Sequence, residues 1–242
     1  MQERFKKIVQ SLADFVQQTG KTRAVLGLSG GVDSALTAKI AVEALGKDKV
    51  TVILMPNEGL TKSESVTDAE SFAKALGIEH QIVPINPFLD DYSQLPWKSS
   101  ELSVMNVNAR IRATILYHFA NTHDAIVLGT GNKTELMLGY FTKYGDGACD
   151  VEVIGSLYKT EVWEMAKAVG VPEVIVNKTP SAELTEGQTD EGEMGMSYAE
   201  ADEILKRIEN GENPTDSTAD RMREMMRASE HKRHVPPIIH FL

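Results

Sequence analysis

Ala24-Val25-Leu26-Gly27-Leu28-Ser29-Gly30-Gly31-Val32-Asp33-Ser34 joins an apolar run to two adjacent glycines and then to an Ala- and Leu-rich segment that continues to Gly46. The apolar run reads as a short buried strand, the glycines as a tight turn, and residues 33 to 45 as a helix. Val50-Thr51-Val52-Ile53-Leu54-Met55 is the next strand, stopped by Pro56, so the stretch opens a βαβ unit. Upstream, Phe5, Ile8, Val9, Leu12, Phe15 and Val16 recur at helical spacing, which predicts an amphipathic helix over 3 to 18, ended by Thr19-Gly20. Downstream the pattern repeats. A helix over about 62 to 76 ends at Gly77, and Gln81-Ile82-Val83-Pro84-Ile85 follows as a strand whose proline indicates an edge position or a strand end.

A long helix over about 104 to 121 leads into Ala125-Ile126-Val127-Leu128, an unbroken apolar run expected of a central parallel strand buried on both faces. Gly129-Thr130-Gly131-Asn132 closes it. Val151-Glu152-Val153-Ile154 is a candidate short strand, and 159 to 169 a helix stopped by Gly170 and Pro172. This alternation predicts an α/β fold with a doubly wound parallel sheet and right-handed crossovers. Residues 180 to 195 show no periodicity and read as a long loop, expected to be mobile until a ligand binds. Polar helices over 197 to 209 and near 215 to 229 precede the basic island Glu230-His231-Lys232-Arg233-His234. The expected organisation is a single domain: an α/β core over about 20–176, the loop over about 180–195, and a C-terminal helical extension with its tail over 197–242. There is no internal repeat and no low-complexity tract.

The chain has 242 residues, of which 42% are hydrophobic and 25% charged, the composition of an ordinary globular protein. Its formal charge of −10, from 35 acidic and 25 basic residues, repels phosphate backbones and anionic headgroups, so general binding to nucleic acid or membranes is disfavoured. No segment approaches the roughly 20 apolar residues that span a bilayer, and the N-terminus lacks an apolar signal core, which points to a cytoplasmic protein. Cys149 is the only cysteine. An intrachain disulfide and a thiolate metal cluster are thereby excluded, and with no base near it in sequence the thiol reads as a small semi-buried side chain.

In an open α/β sheet a ligand sits at the carboxyl ends of the strands, and the first such end is Gly27-Leu28-Ser29-Gly30-Gly31-Val32-Asp33-Ser34. The glycines let backbone N–H groups turn toward an anion, Ser29 and Ser34 add hydroxyls, and the following helix contributes its positive end. The stretch lacks the Gly-Lys-Ser/Thr ending of a Walker loop, so it suits a released pyrophosphate better than transfer of a terminal phosphoryl group. Asp33 would repel bare polyphosphate and makes sense with Mg²⁺ between them. In isolation, Asp33 and Ser34 would merely cap a helix. A second strand end supplies Thr130 and, one turn into the next helix, Glu135, a hard oxygen ligand for the same ion; alone, Glu135 would read as a solvated helix residue.

The loop Gly139-Tyr140-Phe141-Thr142-Lys143-Tyr144-Gly145-Asp146-Gly147-Ala148-Cys149-Asp150 combines glycines, aromatics, a lysine and acids without regular period, as functional loops do. Lys143 is placed to hold an anionic group. Arg110 and Arg112 lie two apart on a helix and diverge by about 200°, so at most one faces the site, and Arg110 is the preferred candidate. Lys159 opens a helix, a poor place for a cation by dipole arguments unless an anion sits there too.

Ser29-Gly30-Gly31-Val32-Asp33-Ser34 resembles the signature of the N-type ATP pyrophosphatases. Together with Asn108-Ala109-Arg110-Ile111-Arg112, the loop from Gly139 to Gly147, Pro180-Ser181-Ala182-Glu183-Leu184 and Glu230-His231-Lys232-Arg233, it is similar to the ammonia-dependent NAD⁺ synthetases, from the first helix to the tail. The resemblance implies a Rossmann-like, adenine nucleotide alpha hydrolase-like core and a ligase. In that reaction the nicotinate carboxylate of deamido-NAD⁺ attacks the α phosphorus of ATP, giving an acyl adenylate and pyrophosphate, and ammonia then displaces AMP. It further implies that Gly27, Leu28, Ser29, Gly30, Gly31, Val32, Asp33, Ser34, Thr130, Lys159 and Ser181 bind ATP, that Asp33 and Glu135 hold Mg²⁺, and that Arg110, Lys143, Asp150, His231 and Lys232 hold deamido-NAD⁺. Asp33, Lys143 and Lys159 carry the catalytic role, in a homodimer whose tail completes a partner's site.

Ser181 stands where many members of that family have threonine, and Gly131-Asn132-Lys133-Thr134 replaces a more familiar Asp-His-Ala-Ala. A glutamine-dependent branch carries an added nitrilase-like domain for which this chain has no room, so free ammonia is the expected donor unless a separate glutaminase associates. The rivals are another amidating or thiolating ATP pyrophosphatase and a nucleotide-binding sensor without turnover. A tRNA-modifying enzyme would be expected to show a basic face or a cysteine pair, and neither is evident.

Overall fold

The structure, a computed structural model, describes residues 1–185 and 187–240. Five strands, β1 (Arg23–Gly27), β2 (Val50–Leu54), β3 (Glu79–Ile82), β4 (Ala125–Gly129) and β5 (Val151–Glu152), form one sheet in the order β3-β2-β1-β4-β5. Every pairing is parallel, with Leu26 opposite Val52 and Val25 opposite Val127. The helices are α1 (Gln2–Gln18), α2 (Val32–Leu45), α3 (Ser63–Leu76), α4 (Asn86–Ser93), α5 (Glu101–His123), α6 (Lys133–Leu138), α7 (Lys159–Ala168), α8 (Glu173–Val176), α9 (Asp190–Met194), α10 (Tyr198–Glu209) and α11 (Ser217–Ala228).

Alternate residues of each strand feed opposite cores, as the two-residue period of a strand requires. Ala24, Leu26, Val52 and Leu54 pack with α1, α2, α3 and α7, whereas Val25, Ile53 and Val127 pack with α4 and α5. β2 and β4 are buried along their whole length, which explains their unbroken apolar sequence. α2 is buried nearly all round, and its alanines at 35, 38 and 41 admit the close approach. A separate core gathers Leu138, Tyr158, Met194, Tyr198, Leu205 and Met222, uniting α6, α9, α10 and α11.

The chain lays β2 and β3 to one side of β1 and then returns to lay β4 and β5 on the other. The crevice between the carboxyl ends of β1 and β4 is thus the switch point at which such sheets bind ligands.

Three local expectations need correction. The edge strand is Glu79–Ile82 rather than 81–85, and Pro84 falls beyond its end, where no ladder hydrogen bond is demanded of it. Residues 180–195 are not loop throughout, since α9 occupies Asp190–Met194, with the Thr189 hydroxyl capping the N–H of Gly192; five residues are too few to display a helical period. β5 covers only Val151–Glu152 of the expected strand over 151–154. Elsewhere, α4 opens at Asn86-Pro87, proline standing in the first turn, where its missing N–H costs nothing. Glu186 within the expected loop, and Phe241 and Leu242 at the end of the expected tail, lie outside the described residues. Among the described residues no helix is long and apolar enough to cross a membrane.

Candidate active site

The turn after β1 is fixed by its own hydrogen bonds. The Ser34 hydroxyl accepts from the Ser29 N–H at 3.2 Å and donates to the Gly31 carbonyl at 3.0 Å, and the Ser29 hydroxyl accepts from the Gly31 N–H at 3.2 Å. The two hydroxyls lie 3.1 Å apart. Gly30 has φ +83°, and a Cβ there would stand 2.3 Å from the carbonyl oxygen of Ser65, so both conformation and space demand glycine. Gly27, Leu28, Ser29, Gly31, Val32, Asp33 and Ser34 line an open cavity of about 480 Å³ above the switch point, while Gly30 faces α3.

Three strand ends deliver charge to one point. Asp33 comes from the first turn of α2, Glu135 from α6 after β4, and Lys159 from the start of α7 after β5. The Lys159 ammonium lies 2.5 Å from Asp33 Oδ2 and 3.7 Å from Glu135 Oε1, with its side chain 3% exposed. The anion that the helix dipole required beside Lys159 is Asp33. Burial opposes the Lys159 charge, but Asp33 and then Glu135 outweigh it and hold its pKa above the ordinary lysine value. Burial raises that of Glu135, against the attraction of Lys159.

The side chains around this triad hold it in place. Asn132, fully buried, donates from Nδ2 to Asp33 Oδ1 at 2.9 Å and forms a capping box with Glu135 at the start of α6. The Lys159 N–H donates to the Thr134 hydroxyl at 3.1 Å, that hydroxyl donates to Asp202, and Asp202 also accepts the Thr160 N–H at 2.8 Å. The free N–H groups that begin α7 are therefore satisfied by residues of α6 and α10. The Tyr198 hydroxyl lies 3.2 Å from Glu135 Oε1 and 3.0 Å from Asp190 Oδ2, and Asp190 Oδ1 is buried without a partner among the described residues.

The cavity wall is closed from the other side by the segment before α9. Glu183, at φ +49°, accepts from the Lys62 N–H at 3.2 Å and the Ser65 hydroxyl at 2.8 Å, capping α3, which has no side-chain cap of its own. The Ser181 hydroxyl lines the cavity while donating to the Gln188 carbonyl at 2.7 Å, and Thr130 lines it from the end of β4.

The remaining residues singled out from sequence lie farther out. Lys143 donates to the His231 carbonyl at 2.5 Å and borders a second hollow of about 300 Å³, shared with Phe141, Tyr144, Lys232 and His234. Lys232 borders both cavities and donates to the carbonyls of Gly139 at 2.8 Å and Phe141 at 2.7 Å. His231 is exposed. Asp150 accepts the Val127 N–H at 2.7 Å and the Tyr117 hydroxyl at 3.2 Å, and borders neither cavity. Arg110 is exposed, donating to the Lys143 carbonyl at 3.3 Å; of the two arginines it is Arg112 that lines the large cavity. Asn132, Asp190, Tyr198, Asp202 and Arg112 were not selected from sequence. The helix N-cap position of Asn132 was readable, but its bond to Asp33, 99 residues away, was not.

The family model described as NAD synthase matches residues 4–236. The chain is 47% identical to the NH(3)-dependent NAD(+) synthetase of Archaeoglobus fulgidus over 97% of its own length and 96% of that protein's. Its structure is similar to that of NMN synthetase from Francisella tularensis, with a TM-score of 0.89 and 34% identity over 99% of this chain and 98% of that one. It is similar also to the NH3-dependent NAD synthetase of Campylobacter jejuni, with a TM-score of 0.83 and 33% identity over 98% and 99%.

Proposed function

Since the chain belongs to the NAD synthase family, it is a ligase of the ammonia-dependent NAD⁺ synthetase type, and we propose that its cavity amidates deamido-NAD⁺ through an adenylated carboxylate. In the first step the nicotinate carboxylate forms a bond to the α phosphorus of ATP, and the bond to the bridging oxygen breaks, releasing pyrophosphate. In the second, ammonia attacks the acyl carbon, AMP leaves with the bonding electron pair, and the surplus proton passes to solvent. The substrate carboxylate is itself the nucleophile, so the protein's part is positioning and charge compensation. This accounts for a site without a Ser-His or Cys-His pair.

The observation that carries the reading is the convergence of Asp33, Glu135 and Lys159 on one point beside the Ser29–Ser34 turn. The residues at that point fit Mg²⁺: their donors are hard carboxylate oxygens from two strand ends, and Mg²⁺ binds through one or two carboxylates plus substrate phosphates rather than in an all-protein cage. In keeping with this, no group of three or more His, Cys, Asp or Glu among the described residues is arranged to hold an ion alone. Asp33 and Glu135 would hold the ion, which supplies charge neutralisation to the phosphates when bound. Lys159 would add a fixed cation beside them, Thr130 and Ser181 would meet the nucleotide at the rim, and the backbone from Gly27 to Ser34 would receive its phosphates. Lys143 and Lys232 would hold anionic groups of the dinucleotide at the second hollow, with Arg110, Asp150 and His231 as the outer contacts that the family motif implies. Large apolar side chains on and beside α4 and α5 remain exposed, including Phe88, Tyr92, Trp97 and Leu102, which supports a homodimer formed across that face.

Purified protein given ATP, Mg²⁺, ammonium and deamido-NAD⁺ at alkaline pH, where NH₃ is plentiful, is expected to form NAD⁺, AMP and pyrophosphate; no NAD⁺ under those conditions defeats the reading. The similarity to an NMN synthetase supports one alternative acceptor, the nicotinate mononucleotide. Competition between the two acceptors in one vessel decides between them, and dominant NMN formation would replace deamido-NAD⁺ in the scheme.

A further inference from the structure

On α5, Met105, Ala109, Arg112, Ala113 and Leu116 face the large cavity at spacings of three and four, and Arg112 is the charged member of that stripe. Its Nε donates to the Met55 carbonyl at 3.0 Å, and among the described residues its two terminal nitrogens have no hydrogen-bond partner and no carboxylate within ion-pair distance. The other cations of the cavity are engaged. Lys159 is paired with Asp33 and Glu135, Lys178 with Asp68 at 2.8 Å, and Lys232 is bonded to two carbonyls. The acids that most affect Arg112, Asp146 and Glu183, are themselves occupied by the Thr142 N–H and by the N-terminus of α3. Burial lowers the Arg112 pKa to about 10, which leaves it charged at neutral pH. A guanidinium that is desolvated yet open to a cavity, with its fork unpaired, is unfavourable alone and becomes favourable once an anion arrives.

The position of Arg112 indicates which anion. A Cβ at Gly27 would lie 3.2 Å from the Met55 side chain and 3.8 Å from Leu116, one turn from Arg112 on α5. Arg112, tied to Met55, thus stands at the ends of β1 and β2, beside the strand that runs into the Ser29–Ser34 turn. Lys143 lies in the loop after α6 and Lys232 in the tail after α11, and the two border the second hollow. We propose that Arg112 is a nucleotide-binding residue whose guanidinium grips a phosphoryl oxygen of ATP seated in that turn, and does not contact the dinucleotide. This rests on the reading that the cavity takes ATP.

The test is calorimetric titration of wild type, Arg112→Gln and Arg112→Lys with Mg²⁺ and an α,β-methylene analogue of ATP, alongside KM for both substrates. Loss of a charge-assisted hydrogen bond should weaken analogue binding about tenfold to a hundredfold in Arg112→Gln. KM for ATP should rise in parallel, with that for the dinucleotide within about twofold of wild type. Arg112→Lys should recover part of the affinity, because an ammonium supplies the charge without the fork. Should Arg112→Gln fail to fold, judged by its thermal melt, Arg112→Lys alone gives the reading. Unchanged analogue affinity in the folded variants, or a loss confined to the dinucleotide KM, overturns the proposal. The titration needs no turnover, so a wild type that binds the analogue but makes no NAD⁺ would count against the activity and not against Arg112.

Discussion

The charge cluster at the switch point and the basic tail are built on opposite plans. Lys159 is almost wholly buried, sits between two carboxylates, and is fixed from behind by Thr134 and Asp202, both buried as well. Lys143 and Lys232 have main-chain carbonyls for partners, at an open hollow, and His231 beside them is exposed. The first arrangement keeps its geometry before any ligand binds, because Lys159 is paired with Asp33 and Glu135 and the starts of α6 and α7 are held by hydrogen bonds to Asn132, Thr134 and Asp202. The second leaves its cations free to exchange a neutral acceptor for an anionic one. Chemistry that tolerates little displacement belongs with the first plan, and recognition of an extended anion with the second.

The sharpest way to break this comparison is Asp33→Asn. It keeps the side-chain volume and the Asn132 contact but removes the charge that faces Lys159, and kcat/KM is expected to fall by at least about a thousandfold with the far-ultraviolet spectrum unchanged. Activity near wild type would reduce Asp33 to a helix cap. Next in size is Asp202→Ala, which strands the Thr134 hydroxyl and the Thr160 N–H. A loss of about 2–4 kcal/mol of stability is expected, seen as a Tm lower by several degrees, together with a fall in kcat as Lys159 loosens. An unchanged Tm would show that α7 does not depend on that cap. Lys143→Ala, at a residue that borders the second hollow alone, tests the other plan: KM for the dinucleotide should rise about tenfold while Tm moves little, and an equal rise in KM for ATP would contradict the division between the two hollows.

The smallest effect concerns Glu152, whose carboxylate accepts the Gly131 N–H at 3.0 Å beneath the cavity. Burial raises its pKa, with hydrogen bonds from Cys149 and Gly131 opposing. The folded state therefore binds this proton more tightly than the unfolded chain, and stability declines as pH rises from the ordinary glutamate value through the raised one. Glu152→Gln keeps the acceptor oxygen without the charge, so it should raise Tm by a few degrees at pH 8 and leave it nearly unchanged at pH 4. A gain of equal size at both values would show that the charge is not the cause.

Much of this was open to the sequence reader because it is local. The turn from Gly27 to Ser34 and the strands on either side of it are spelled in neighbouring residues, since strand burial, glycine conformation and helix starts act over a few positions. Thr130 and Glu135 follow for the same reason. Even the position of Lys159 at a helix start implied a nearby anion, although not which one.

Other features had no local signature. Two arginines two apart on one helix must diverge, but which of them meets the cavity depends on the rotation of α5 against β1 and β2, and packing settled it for Arg112. Tyr198 and Asp190 read as ordinary residues of a polar helix and a loop until α9 and α10 fold onto α6 and bring them to Glu135.

The sequence by itself determined the parallel α/β alternation, the anion-binding turn and the kinds of residue able to hold a metal and a phosphate, because these rest on short-range periodicity and on side-chain chemistry. Only the tertiary structure decided that Asp33, Glu135 and Lys159 share one point, that Asn132 and Asp202 hold them there, and that Arg112 rather than Arg110 lines the cavity. Contacts of this kind join residues as many as 126 positions apart, and which of them form is decided by strand order and helix packing, which bring distant segments together.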